Sequence, residues 1–379
     1  MDTLRKLQLL GQATRYEPAE DVGLAGHRWP VPRVPEELID CISHAVTPNG
    51  RIPLLKTLLS SACERDCYYC PFRTGRDFRR ATFTPDELAK LFVQLYQNNF
   101  VEGLFISSGL VGGGPQTQDR ILKTAEILRQ QYNFRGYIHL KIMPGAERDQ
   151  VAAGMALADR VSVNLEAPND GRLARLAPHK VFTEELLQRM EWVEEIRQAQ
   201  GGYGPSMTTQ FVVGAAGESD LELLHTTSYL NQKLRLARAY FSGFNPIADT
   251  PLEELPPASI EREHRLYQAS FLLRDYSFDI EELPFAQDGN LPLHEDPKLL
   301  WARQHLADAP VEINQADRET LLRVPGIGVK SADRILTARR QGTLRDLSHL
   351  RQLHIAVKRV APFVLLDGKR PAHQLKLPL

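Results

Sequence analysis

From about residue 52 to residue 276, short apolar runs alternate with longer stretches in which apolar residues recur every three or four positions. The first pattern has the length and composition of buried strands, the second the period of amphipathic helices. Strands are predicted at Leu54–Leu59, Gly103–Ser107, Tyr137–Met143, Arg160–Leu165, Met207–Val213 and Ala239–Phe244. Helices are predicted near 84–98, 117–132, 147–157, 183–199, 219–233 and 259–275. Thr84-Pro85-Asp86-Glu87 combines an N-cap, a proline in the first turn and a capping-box glutamate, and Ser219-Asp220-Leu221-Glu222 repeats the box. Strict alternation implies parallel strands joined by right-handed crossovers. Six such units make an α/β fold, a partial (β/α)6 barrel of the TIM type, whose chemistry belongs at the C-terminal ends of the strands.

This pattern divides the chain into an N-terminal extension (1–49), the barrel (50–276), a linker rich in Pro, Asp and Glu (277–300) and a small all-α domain (301–370). The 379 residues are 42% hydrophobic and 25% charged, ordinary for a globular protein. The apolar runs fall short of a membrane span, and the N-terminus has no signal-peptide pattern. Four cysteines do not make a disulfide framework, which fits a reducing, cytoplasmic setting. Charge is uneven. Residues 298–379 hold 15 Lys+Arg against 7 Asp+Glu, whereas the first 297 hold 31 against 40. A basic module on an acidic body points to an anionic partner, although charge runs also simply solvate a surface.

Three of the four cysteines fall within eight residues, Cys63-Glu64-Arg65-Asp66-Cys67-Tyr68-Tyr69-Cys70, directly after the first predicted strand. Spacings of three and two residues let one loop offer three thiolates to one side of a [4Fe–4S] cluster and leave one iron open. The competing reading is a zinc site completed by His44 or Cys41. Cys41 itself reads as a small buried residue.

The C-x3-C-x-aromatic-C spacing, with Tyr69 as the aromatic, resembles the signature of radical S-adenosylmethionine (SAM) enzymes. That resemblance implies the three cysteines Cys63, Cys67 and Cys70 as cluster ligands and SAM chelated to the open iron. It also implies an electron from a flavodoxin- or ferredoxin-type donor, and cleavage of SAM to a 5′-deoxyadenosyl radical that takes a hydrogen atom from substrate. Ser108 and Gly109 stand where many family members carry Gly-Gly-Glu-Pro, so the carboxylate of that stretch is missing. Ser162, Asn164 and Glu166 alternate onto one strand face, a polar row suited to the SAM ribose and carboxylate. The run Gln210–Ser219, including Val213, is similar to the family's adenine-side region, and a glycine turn into a capped helix explains the same residues. His139, Lys141 and Lys180 are candidates to meet substrate or to form salt bridges. No residue is singled out as acting on substrate.

Leu321-Leu322-Arg323-Val324-Pro325-Gly326-Ile327-Gly328-Val329-Lys330 follows the linker, with Ile313–Ala316 expected to open a helix before it. It resembles the helix-hairpin-helix module of DNA-handling proteins. Pro325, Gly326, Ile327, Gly328, Val329 and Lys330 would form a tight turn whose following N–H groups face a phosphate. Leu350-Arg351, Ile355 and Val357-Lys358 form a weaker copy with His354 and Ala356 in the glycine positions. A small protein-interaction domain is the plainer alternative. The arginine–aromatic loop 72–80 suits a nucleic-acid strand or an ordinary charged loop equally. Together these features resemble DNA modification or repair radical SAM proteins. DNA is the expected partner, RNA the rival, and a non-enzymatic DNA-binding protein with a structural metal the alternative of another class.

Overall fold

The computed structural model describes residues 2–14, 36–47 and 50–372, so residues 15–35 of the expected N-terminal extension lie outside it. The chain divides into two compact units, one of residues 1–218 and 229–259, the other of 219–228 and 260–379. The first unit contains α1 (Thr3–Ala13), β1 (Ile42–Thr47), β2 (Gly50–Leu58), α2 (Pro85–Gln97), β3 (Gly103–Ser107), α3 (Gly113–Glu126), β4 (Tyr137–Lys141), α4 (Arg148–Leu157), β5 (Arg160–Ser162), α5 (Asp170–Leu176), α6 (Gln188–Ala199), β6 (Ser206–Val213), the end of α7 (Asp220–Leu234) and β7 (Arg238–Gly243). The seven strands lie in sequential order in one sheet. Strands β2 to β7 are parallel, and these are the six the alternation predicts. The seventh, β1, runs antiparallel to β2, with Ile42 opposite Leu55 and Thr47 opposite Gly50. Its sequence, Ile-Ser-His-Ala-Val-Thr, does not alternate, so period two could not reveal it.

Alternation along each strand sorts the two faces. One face carries Leu55, Leu104, Ile106, Ile138 and Leu140, buried in one core with Leu88, Phe92 and Ile121 of the covering helices. Truncating any one of these to alanine costs about 2–5 kcal/mol. The capping box of Thr84 and Glu87 starts α2 as expected. The opposite face is polar, which is unusual for a parallel sheet buried on both sides. Lys56 is in register with Phe105 and Phe105 with His139. The His139 ring meets Phe105 edge-on at 4.7 Å, and its Nε2 lies 3.0 Å from Ser162 Oγ. Burial, reinforced by the charges of Arg160, Lys141 and Lys56, holds His139 well below its usual range and hence neutral.

The second unit contains the start of α7, then α8 (Ile260–Asp275), α9 (Pro297–His305), β8 (Val311–Glu312), α10 (Arg318–Arg323), α11 (Val329–Ala338), α12 (Leu347–Gln352), α13 (Val357–Val360) and β9 (Val364–Leu365). Three expectations are corrected here. Helix α8, predicted with the barrel, belongs to this unit. The segment is not all-α, because β8 and β9 form a short parallel pair. Ile313–Ala316 do not open a helix: Glu312 O accepts from the N–H groups of Gln315 and Ala316 in a turn, and Asp317 caps α10 four residues later than the pattern suggested. The 277–300 stretch carries a 3-10 turn at Ile280–Glu282 and the first residues of α9.

The start of α7 is anchored by Asp220, which is fully buried. Its carboxylate accepts from Arg262 Nε at 2.7 Å and from the Leu291 N–H at 2.9 Å. Removing one member of a buried, hydrogen-bonded pair leaves the other uncompensated, so Asp220→Ala is expected to lose about 3–5 kcal/mol. Urea unfolding of the variant beside the wild type measures this.

Candidate active site

A cavity of about 200 Å³ opens at the C-terminal ends of the parallel strands. Five of the six parallel strands deliver an inner-face residue to it: Leu58 from β2, Ser107 from β3, Lys141 from β4, Gln210 and Val212 from β6, and Ser242 from β7. Asn164 and Glu166, just beyond β5, complete the wall. Cys63, Cys67 and Cys70 form part of the same wall, and all three are free thiols.

The loop that carries the thiols has no regular structure, and its backbone is fixed by neighbours. Leu59 N–H donates to Ser107 O at 2.8 Å, Gly109 N–H to Ser60 O at 2.8 Å, and Glu64 N–H to Leu110 O at 2.8 Å. Tyr68 N–H donates to Leu176 O at 2.7 Å. The Glu64 carboxylate accepts from the N–H groups of Gly112 and Gly113, where α3 begins. Arg65 donates to His179 O at 2.6 Å and pairs with Glu185, and Asp66 meets His179 Nδ1 at 2.8 Å. Arg80 holds the following turn by donating to the carbonyls of Ser61, Phe72, Arg73 and Arg76 while lying over the Phe78 ring. Arg73 and Arg76 likewise bond backbone carbonyls. The arginine–aromatic loop is therefore largely occupied in holding itself, with Arg79 exposed.

Electrostatics in the cavity centre on one ion pair. Lys180 Nζ lies 3.2 Å from Glu166 Oε1, with both side chains 8% exposed. Burial works against the Lys180 charge, but Cys67, Glu166 and Cys70 outweigh it and raise its pKa well above the usual lysine value. Burial pushes the Cys67 thiol up, although Lys180 opposes that shift. Burial also raises Cys70, with the Cys67 charge adding to it and an N–H bond from Phe72 opposing it. The Tyr69 phenol is raised by burial and by the neighbouring Glu166, to which it is hydrogen-bonded. Thiols in this setting ionise readily only when a bound cation compensates. Glu166 has φ +65°, a left-handed conformation that a non-glycine residue seldom adopts and that recurs at functional sites.

The donor set distinguishes two kinds of inorganic group. A single tetrahedral zinc, with ligand distances near 2.3 Å for sulfur, would draw its ligands tightly together. Among the described residues no three His, Cys, Asp or Glu side chains converge in that way. Cys41 is 1% exposed, its thiol pushed by burial to about 12, and it packs against Gly11. Neither Cys41 nor His44 lines the cavity. Three thiols carried by one loop and lining one cavity fit a polynuclear cluster with one iron on each sulfur.

The remaining predicted residues divide. Tyr69, Ser108, Gly109, Asn164 and Glu166 line the cavity with the cysteines. Ser162 lies below it, bonded to His139, and Val213 is fully buried while Val212 takes the place on the wall. The polar row does not continue evenly because β5 ends at Ser162 and the backbone turns at Glu166. Lys141 and Lys180 reach the cavity and His139 does not. Gln210, which opens the run likened to the adenine-side region and accepts from Asn164 Nδ2 at 3.2 Å, lines the cavity with Asn245 of the loop after β7, and Ser242 was missed. Counting by twos back from Val212 on β6 reaches Gln210, and back from Phe244, the predicted end of the sixth strand, reaches Ser242. Glu218 closes the loop after β6 by accepting from the N–H groups of Gly214 and Ala216.

Residues 57–230 match the sequence model of the Radical SAM superfamily. No curated protein matches the chain. Among solved structures it is similar to the FeFe-hydrogenase maturase HydG from Carboxydothermus hydrogenoformans, at 14% identity and TM-score 0.47 over 58% of this chain and 51% of that one. It is also similar to methylornithine synthase, PylB (12%, 0.47, 58% and 61%), and to the radical SAM methyltransferase TsrM from Kitasatospora setae (13%, 0.41, 60% and 42%). The chain spans about half the length of the HydG structure. The match over 57–230 defines a class: the chain carries a radical SAM superfamily domain. Domains of this class are enzyme domains that work with a [4Fe–4S] cluster and SAM.

Gly109, at β3's exit, packs directly against the cysteine loop, since a Cβ there would lie 2.2 Å from Ala62 O. Gly109→Ala is expected to displace the Ala62–Cys63 backbone at a cost of about 1–3 kcal/mol. Denaturant melts read that cost, and faster modification of Cys63 by a thiol reagent reads the displacement.

Proposed function

We propose that Cys63, Cys67 and Cys70 hold a [4Fe–4S] cluster and that the cavity is where this chain cleaves SAM to act on a nucleic-acid substrate, DNA in the first instance. The observation that supports it best is the meeting of three free thiols from one loop with polar strand ends in a single cavity. When bound, the cluster supplies one electron, received from a flavodoxin- or ferredoxin-type donor, and so opens SAM to radical chemistry. The chain's own residues bind and enclose. Ser108, Gly109, Asn164 and Glu166 offer polar contacts to SAM, and Glu166 is held in place by Lys180 and Tyr69. The apolar wall of Leu58, Leu110, Met143 and Phe244 keeps water from a reactive species.

The second unit supports the nucleic-acid part of the reading. Helices α10 and α11 flank Pro325-Gly326-Ile327-Gly328, in which Gly326 has φ +89° and packs 3.0 Å from the Arg359 and Val360 side chains where a Cβ would stand. Gly328 caps α11 without a side chain, so the first-turn N–H groups are open to an acceptor. Helices α12 and α13 repeat the arrangement, with His354 at φ +55° in the place of the first glycine. A paired helix-hairpin-helix module of this form holds a strand by its phosphates and reads no bases.

Anoxic reconstitution with iron and sulfide, then reduction with SAM present, is expected to yield 5′-deoxyadenosine from the wild type and none after Cys63, Cys67 and Cys70 are changed to alanine. Product formation that survives the triple change would sink the cluster assignment. Affinity for a DNA duplex is expected to fall on replacing both Gly326 and Gly328 with alanine, and to weaken steeply with salt in the wild type. An equal or tighter hold on RNA of the same sequence would reverse the choice of substrate.

A further inference from the structure

The second unit holds a cavity of its own, about 280 Å³, lined by α8, the segment from Tyr276, the start of α9, the turn between α10 and α11, and Arg359. Lys298 lines it and is 8% exposed, a degree of burial that lysine rarely tolerates without a paired anion. Its ammonium donates to Ile327 O at 2.7 Å and lies 4.5 Å from the Tyr276 ring centroid. No carboxylate stands within ion-pair distance of it among the described residues. Asp296, in the same wall, is engaged elsewhere: it accepts from the Leu299 N–H at 3.0 Å and from Gln268 Nε2 at 3.1 Å, and faces Arg359 at 3.6 Å. Among the described residues Lys298 makes one hydrogen bond, to that carbonyl, so two of its three N–H donors have no acceptor there. Burial, with Arg359 adding to it and Asp296 opposing it, pushes the ammonium down to about 7.

Other donors face the same space. The uncapped first turn of α11 begins at Gly328, which lines the cavity. The Tyr276 hydroxyl lies 3.2 Å from the point a Cβ on Gly328 would occupy, so it sits over the helix N-terminus. Arg359 brings a second cation that is half-exposed.

We propose that this cavity binds one phosphate group, held by Lys298, Arg359, the Tyr276 hydroxyl and the first-turn N–H groups of α11. A phosphate supplies the acceptors that Lys298 lacks and places negative charge at the positive end of the helix. Two cations, a hydroxyl and several helix N–H groups together bring more donors than the roughly four acceptor sites of a carboxylate, whereas phosphate oxygens can meet them. The glycine turn alone offers backbone N–H groups to a strand crossing the surface. The buried lysine adds a charge that is reached only by a group projecting into the cavity. The site itself stands on these contacts, and only the carrier of the phosphate rests on the nucleic-acid reading above.

The test uses the full chain. Phosphorus NMR of inorganic phosphate is expected to show broadening on adding wild type, with affinity lowered roughly tenfold or more in Lys298→Met, as for loss of a charge-assisted hydrogen bond, and less in Tyr276→Phe. Titration with one short oligonucleotide bearing a 5′-phosphate or a 5′-hydroxyl then identifies the carrier. Tighter binding of the phosphorylated strand, lost in Lys298→Met, supports a strand end in the cavity. Equal binding that inorganic phosphate displaces supports an internal phosphodiester. Phosphate that binds while no oligonucleotide does leaves the site standing and removes the nucleic-acid reading. Absence of phosphate binding to wild type at millimolar concentration overturns the proposal, as does unchanged binding in a folded Lys298→Met. Should that variant not fold, the wild-type measurement and Tyr276→Phe decide alone.

Discussion

A loop drawn into a protein's interior must find partners for the backbone groups it removes from water, and the cysteine loop finds them on its neighbours. Ser107 O, Ser60 O, Leu110 O and Leu176 O each pair with an N–H across the boundary between the loop and a strand end or helix end. The contact is close enough that Gly109 has no room for a side chain against Ala62. Because these bonds come from the first two parallel strands and from the segment after β5, the thiols have a fixed position only when the sheet is complete. With the loop held there, its thiols meet the polar strand ends and the Glu166–Lys180 pair in one cavity.

Charge in that cavity is arranged economically. The Lys180 ammonium and Glu166 carboxylate compensate one another, while both act on the thiols with opposite signs. Leaving either one alone would cost about 3–5 kcal/mol, which explains why both reach the same wall from segments fourteen residues apart. Below them the His139 imidazole is neutral, held so by burial and by the charges of Arg160, Lys141 and Lys56. Arginine in the loop after the cysteines braces backbone carbonyls, a use that composition alone does not separate from nucleic-acid contact.

In the second unit the same contrast appears between a balanced and an unbalanced charge. Asp220 and Arg262 form a buried pair with further backbone support, and Arg323 lies over the rings of Phe278 and Trp301 while bonding Glu282. Lys298 has no such anion. Its position beside the α10–α11 turn ties the 277–300 stretch, which reads as a plain linker, to the element with the most specific motif in that half of the chain.

The six parallel strands were legible because period two and period 3.6 are local properties, set by which face of each element is buried. The tight turn at Gly326 was legible for a similar reason: a Pro-Gly pair marks a turn locally, and Gly326 adopts φ +89°. The antiparallel β1 was not, since its residues do not alternate, nor was the short β8–β9 pair, whose two-residue strands carry no period. Which polar residues share the cavity depended on where each strand stops. Ser162 shares a face with Asn164 along the chain, but β5 ends at Ser162 and only Asn164 reaches the wall, while on β6 the face that meets the cavity is the one holding Val212 and not Val213. Local pattern is written residue by residue, whereas the end of a strand and the burial of Lys298 are decided by what packs against them.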